Sequence, residues 1–247
     1  MKKKDSDREQ YNKWWDDVSV SNAEDPGTIF RADLILKKIE ELNPESVIDC
    51  GCGPGELIKK IRSKKELRKI KLAGFDVADE VVRANKKKYP TVDFFTLNLN
   101  ERTKLKRDFD LAICSEVIEH VNEWKNVIYD LNRMIKKRGH LIITTQAGRR
   151  YRHHRALGHI RHFKKEEIER ELLKYNIRAV KSYYCGWPFM NLKNELTNIF
   201  YSRIEKSLLK SKEQSLFNKT VFGLFKFLYD ISSKKKGPQI YILAYKG

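Results

Sequence analysis

The stretch Asp49-Cys50-Gly51-Cys52-Gly53-Pro54-Gly55-Glu56 holds an acid followed by three glycines at alternate positions. Glycines there let the backbone turn sharply and let a ligand approach where a Cβ would otherwise stand. A helical pattern follows (Leu57, Ile58, Ile61), and the start of a helix offers unpaired backbone N–H donors beside such a ligand. The Asp49 carboxylate suits a ligand with an ammonium group and would repel a pyrophosphate. Neither nucleotide fingerprint fits: G-x-G-x-x-G needs glycine where Glu56 stands, and G-x-x-x-x-G-K-[ST] fails as well. A second acid, Asp76, ends an apolar run about twenty residues past the glycines, where a carboxylate can accept both ribose hydroxyls of a nucleoside. Proton chemistry has candidates too. All six histidines lie between His120 and His162, and imidazole exchanges protons near neutral pH.

The four cysteines offer less. Cys50, Cys52, Cys114 and Cys185 contain no C-x-x-C pair, and Cys50 and Cys52 flank Gly51 in an arrangement poor for zinc. They read as free buried thiols of a reducing compartment, and no metal site is expected.

Holding Asp49 and Asp76 in place requires a sheet. Thr28 reads as the N-cap of a helix Ile29 to Leu42. Strands are predicted at about 46–50, at Ile70 to Asp76, at Val92 to Leu97 with Asn98 at its carboxyl end, at Phe109 to Cys114 and at Leu141 to Thr145. Helices Asp79 to Tyr89, stopped by Pro90, and Glu123 to Lys137 fall between them. This cadence predicts a doubly wound α/β fold with parallel strands and right-handed crossovers. Ligands then sit at the carboxyl ends of the strands, where the glycine turn, Asp76, Asn98 and Ser115 converge. Residues 1–43 read as an N-terminal lid (with Trp14 and Trp15) and first helix, 44–185 as the core. Residues 186–237 read as a helical insertion, with Asn191 to Ser233 helical, and 238–247 as the last strand.

A formal net charge of +18 admits nucleic acid, an anionic membrane surface or an acidic substrate. The charge concentrates in Arg149 to Arg155 and in Lys234-Lys235-Lys236, and neither run forms a recognised nucleic-acid motif. His153 and His154 belong, on this reading, to a solvated basic loop. The charged start lacks the apolar core of a signal peptide, and no apolar stretch is long enough to span a bilayer. A cytoplasmic protein is expected, with peripheral contact at the inner face of the membrane left open. The insertion reads as a substrate lid or homodimer face, with a membrane-surface element as the alternative.

The run Asp49 to Gly55 resembles motif I of class I S-adenosylmethionine-dependent methyltransferases. Phe109 to Val121 is similar to their "fDlv…evleHv" segment, and Gly158 to Ile168 to "gHvr.ft.eel", especially in the ubiquinone-biosynthesis O-methyltransferase and sugar methyltransferase group. The resemblance implies a seven-stranded, mostly parallel sheet whose antiparallel last strand lies beside the fifth and sixth. It implies S-adenosyl-L-methionine as cofactor. Asp49, Gly51, Cys52, Gly53 and Gly55 would surround the methionine moiety, and Asp76 would hold the ribose. Val77, Asn98 and Leu99 would border the adenine, Ser115 and Glu116 would lie near the sulfonium, and Arg31 would reach the cofactor carboxylate. A sulfonium is an activated methyl donor, so alignment supplies much of the acceleration. A hydroxyl acceptor gains from a general base, for which His120 and then His159 are the candidates, with His162 behind them. The implied activity is in-line methyl transfer to a small-molecule or glycan- or lipid-linked hydroxyl, as in surface-polysaccharide biosynthesis, with an amino acceptor as the lesser alternative. RNA or protein methylation through the basic loop is the first alternative, although Ser115-Glu116-Val117-Ile118 replaces the N/D-P-P-Y motif of base methylation. A non-catalytic partner subunit that binds the cofactor is the second.

Overall fold

The structure, a computed structural model, describes residues 25–101, 103, 108–201, 223–225 and 227–247. The expected lid at Trp14 and Trp15 lies outside them. Helix α1 runs Pro26–Leu42, capped by Asp25 rather than Thr28. Asp25 Oδ2 accepts from the backbone N–H groups of Gly27 (2.9 Å) and Thr28 (3.1 Å), while Pro26 fills the first helical position without needing a partner. The other elements are β1 Ser46–Cys50, α2 Glu56–Ser63, β2 Lys71–Asp76, α3 Asp79–Lys88, β3 Asp93–Thr96, β4 Phe109–Ser115 and α4 Trp124–Met134. They continue as β5 Ile135–Gln146, α5 Arg152–Ala156, α6 Lys165–Leu173, β6 Ile177–Cys185, α7 Phe189–Ile199 and β7 Gln239–Lys246.

One seven-stranded sheet has the order β3-β2-β1-β4-β5-β7-β6. All pairs are parallel except those of β7, which is antiparallel to both β5 and β6. The chain reverses its direction of winding between β1 and β4, and that crevice is where a doubly wound sheet binds its ligand. Apolar runs such as Leu111 to Cys114 and Leu141 to Ile143 are buried on both faces, as central parallel strands require. Within β4, Ala112 and Cys114 face one helical layer with α4 and α6, while Leu111 and Ile113 face the other with α1 and α2. All four cysteines are buried and free, and burial raises their thiol pKa values.

Two further boundaries differ from the sequence reading by several residues. The helix expected to reach Lys137 ends at Met134, and β5 starts at once, because Ile135 pairs with Phe109 before a register shift. Of the long helix expected over 191–233, the described part holds α7 and helical residues at 223–225 and 227–230. This cap is docked on α1. Tyr229 is 1% exposed, packs edge-on against Phe30 at 6.1 Å, and shares a small apolar cluster with Cys185 and Met190. Lys193 of α7 pairs with Asp25. Among the described residues, no helix is long and apolar enough to cross a membrane.

Candidate active site

The glycine turn ties β1 to β2. The N–H groups of Gly51 and Cys52 both donate to the Phe75 carbonyl, at 2.8 and 2.9 Å. Gly51 has φ +76, and a Cβ there would come within 2.5 Å of Val117, so only glycine fits. Gly53 N–H donates to Asp76 Oδ2 at 2.9 Å, and Ala78 N–H to Oδ1 at 3.0 Å. Asp76 therefore stands at the end of β2 as expected, with backbone amides bonded to both of its carboxylate oxygens. Burial raises its pKa, against the pull of those amides. Asp49 is also buried, and burial followed by the neighbouring Asp76 charge pushes its pKa up to about 7. Two buried acids at the mouth of the crevice suit a ligand that brings a cationic group and hydroxyls. Asp76→Ala should weaken nucleoside-cofactor binding by about 1.5–3 kcal/mol, the size of charge-assisted hydrogen bonds to an ionised acceptor. Unchanged affinity by calorimetry would show that β2 carries no ribose contact.

The remaining expected contacts lie on the same rim. Asn98 Oδ1 accepts from Asn100 N–H at 3.0 Å, closing a local turn, and Leu99 is buried in the core. Val77 follows Asp76, and Ser115 Oγ pairs with Thr144 Oγ1 at 2.8 Å. Glu116 takes an unusual φ of +55. Its carboxylate accepts from Thr144 Oγ1 (3.1 Å), Gln146 Nε2 (2.6 Å) and Gln239 Nε2 (2.9 Å). Arg31 joins this network, with Nη1 3.8 Å from Glu116 Oε2 and 3.4 Å from Gln239 Oε1. Sequence reasoning named Arg31 and Glu116 but not the Gln146 and Gln239 that hold them. Those two come from β5 and β7, strands adjacent only in the folded sheet.

Beyond β4 the chain makes a 3-10 turn, Ile118–His120, and the Glu119 carbonyl accepts from Ile160 N–H at 2.8 Å. That bond draws the 158–162 segment over His120. The His159 ring packs edge-on against His120 at 4.7 Å, and His154 stacks on His159 at 5.2 Å. His159 Nδ1 lies 3.2 Å from His162 Nε2. His153 and His154 are thus not part of a solvated loop. They sit on the short helix α5, where Tyr151 stacks on His153 and hydrogen-bonds Glu195 of α7, and His154 is 5% exposed. The basic side chains around them point outward while the imidazoles point in, a split that composition does not reveal. The sixth histidine, His140, lies apart on β5, against Tyr245.

Burial, reinforced by neighbouring imidazoles, pushes the pKa of His159 and His154 down to about 2 and is also the main cause for His120 and His162. These groups are neutral near physiological pH and present lone pairs. Glu119 is fully buried. Its Oε2 accepts from Thr145 Oγ1 at 2.8 Å, and its Oε1 has no hydrogen-bond partner among the described residues. Burial and then Glu116 raise its pKa well above the carboxylate range. The ligating atoms of Glu119, His120 and His159 lie within 4.8 Å of one another, and a carboxylate with two imidazoles is a donor set that could hold a divalent metal. Sequence reasoning missed Glu119; the available signal was an acid beside His120 just past a strand end.

The family model described as "Methyltransferase domain" matches residues 29–182. The ubiquinone biosynthesis O-methyltransferase of Nitrosomonas europaea is 27% identical over 137 residues, which cover 53% of this chain and 57% of that one. The malonyl-[acyl-carrier protein] O-methyltransferase of Pseudescherichia vulneris is 25% identical, over 47% of this chain and 45% of its own. The chain therefore matches about half the length of these curated relatives. A TehB-like SAM-dependent methyltransferase from Corynebacterium glutamicum shares the fold over 98% of both chains, with a TM-score of 0.56 and 12% identity.

Proposed function

This chain belongs to the methyltransferase-domain family, a family of S-adenosylmethionine-dependent enzymes, and on that premise we propose that it methylates a hydroxyl of a small-molecule or glycan- or lipid-linked acceptor. The observation that carries the choice of oxygen is the neutral cluster of Glu119, His120 and His159 past the end of β4. A hydroxyl must lose a proton as it attacks, whereas a neutral amine already has its lone pair. Both curated relatives named above are O-methyltransferases, which supports the same choice.

S-adenosylmethionine, when bound, supplies a methyl group activated on a sulfonium. Asp49 would hold the ammonium group and Asp76 the ribose hydroxyls. Arg31, steadied by Glu116 and Gln239, would face the cofactor carboxylate. His120 or His159 would take the acceptor proton while the hydroxyl oxygen lies in line behind the methyl carbon. The cap would shape the acceptor site, since the Tyr151–Glu195 bond joins α7 to the histidine cluster. Leu192, Leu196 and Ile199 form one exposed apolar face of α7, which favours an acceptor with an apolar part over nucleic acid.

The buried Oε1 of Glu119, without a hydrogen-bond partner among the described residues, favours a second reading of the same cluster, in which Glu119, His120 and His159 hold a divalent cation that lowers the acceptor's pKa. Dialysis against a chelator decides between them. Activity lost and restored by added Mg2+, Mn2+ or Zn2+ assigns a cation, and unchanged activity assigns the proton to histidine. The acceptor itself is found by mass spectrometry of cell extracts with and without the protein, with a deuterated methyl donor. Labelled glycan, lipid or small molecule supports the proposal. Labelled RNA, with RNA binding that falls steeply with salt, overturns it.

A further inference from the structure

The histidine cluster has an ordered direction. His162 Nδ1 lies 3.3 Å from the Gly148 carbonyl, and a carbonyl can only accept. His162 must therefore carry its proton on Nδ1. Near and above neutral pH an ordinary imidazole is uncharged and holds one ring proton, so the Nε2 of His162 is bare. That bare nitrogen lies 3.2 Å from His159 Nδ1, which must then be the donor. Since a neutral imidazole has one proton, His159 is left with a lone pair on Nε2.

The surroundings hold this arrangement. His154 stacks on one face of His159 at an interplanar angle of 15°, and His120 meets it edge-on at 74°. His154 is itself fixed, because its Nδ1 accepts from Tyr151 N–H at 3.2 Å. Gly148 has φ +72 with open space at its Cβ position, so its glycine serves the backbone conformation that aims the carbonyl rather than a tight fit.

We propose that His162, anchored on the Gly148 carbonyl, is a positioning residue that fixes His159 as the Nδ1–H tautomer and leaves Nε2 as the nitrogen whose lone pair this ring can offer in its cluster with Glu119 and His120. The step involves no net chemistry of its own. It decides which nitrogen of His159 can take a proton from the acceptor or bind a cation, and so it deepens the reading of this cluster as the acceptor-activating centre, on which its functional part rests.

The test needs no acceptor. Two-bond proton–nitrogen correlation spectra of the full chain labelled with 15N-histidine report each ring's tautomer, with His159 assigned by the signals lost in His159→Gln. The wild type should show His159 protonated on Nδ1 and bare on Nε2. His162→Phe, which fills the space but cannot accept, should move His159 to the other tautomer or to a mixture. His162→Gln places a carbonyl oxygen near the lost nitrogen and should restore the wild-type pattern. Turnover on the acceptor should fall roughly tenfold or more in His162→Phe and recover in His162→Gln, with the KM for S-adenosylmethionine unchanged. A wild-type His159 protonated on Nε2, or an unchanged tautomer in folded His162→Phe, overturns the proposal. Should His162→Phe not fold, the wild-type spectrum still decides. A switched tautomer with unchanged turnover upholds the relay and overturns the role given to the cluster.

Discussion

Asp49→Asn is expected to stabilise the ligand-free protein near pH 8 while weakening its hold on S-adenosylmethionine. Burial and Asp76 raise the Asp49 pKa from 3.8 to about 7 in the folded state. The folded protein therefore keeps a proton that the unfolded chain has released, and stability falls as pH rises between these two values. Below the lower value both states are protonated and the effect is absent. Above the higher one the loss is complete, and three units at 1.36 kcal/mol each make it about 4 kcal/mol. The amide carries no charge to desolvate, so it should recover part of that loss near pH 8 and almost none near pH 4. An ammonium group bound beside Asp49 would make the carboxylate favourable again, so the same substitution should cost affinity. Urea unfolding at both pH values, with calorimetry beside it, reads the two effects separately. Equal stability at both pH values and equal affinity would remove Asp49 from the site.

His120→Ala should cut turnover by roughly a hundredfold or more while cofactor affinity stays near normal. The residue lies on the 3-10 turn past β4, next to the fully buried Glu119 and edge-on to His159. Its pKa is lowered by burial, so the neutral form prevails at pH 7 and turnover should decline only on the acid side. Steady-state kinetics with the acceptor found by mass spectrometry make the measurement. Equal turnover in variant and wild type would pass the role to His159.

The centre of the sheet was legible because β1, β4 and the second half of β5 are buried on both faces and write their own apolar runs. The β4 run from Phe109 to Cys114 follows from that pattern, whereas its place beside β1 is set only in the folded sheet. The start of β5 was not legible, since Lys136, Lys137 and Arg138 read as the charged end of a helix. Only the pairing of Ile135 with Phe109 converts them to strand. The glycine turn and Asp76 were legible for a similar reason, being local in sequence and set by strand ends. The histidine cluster was only half legible. His120 and His159 are 39 positions apart, and what unites them is a hydrogen bond from Ile160 to the Glu119 carbonyl. Nothing in the basic composition of residues 149–155 signals that His154 turns inward.

The position of β7 between β5 and β6 has a consequence for how the chain is made. During synthesis β6 emerges before β7, yet among the described residues the sheet gives it no neighbour except β7. Until residues 239–246 follow, β5 shows an unpaired edge and β6 has nothing to pair with. Such edges recruit other chains. Growing and truncated chains should therefore be aggregation-prone, and closure of this half of the sheet should come late, because it joins strands separated by a long insertion. Gln239, the first residue of β7, also completes the Glu116–Arg31 network. The catalytic rim and the last hydrogen-bonded ladder thus mature in one event, so a nascent chain lacking β7 should neither fold fully nor bind its cofactor well.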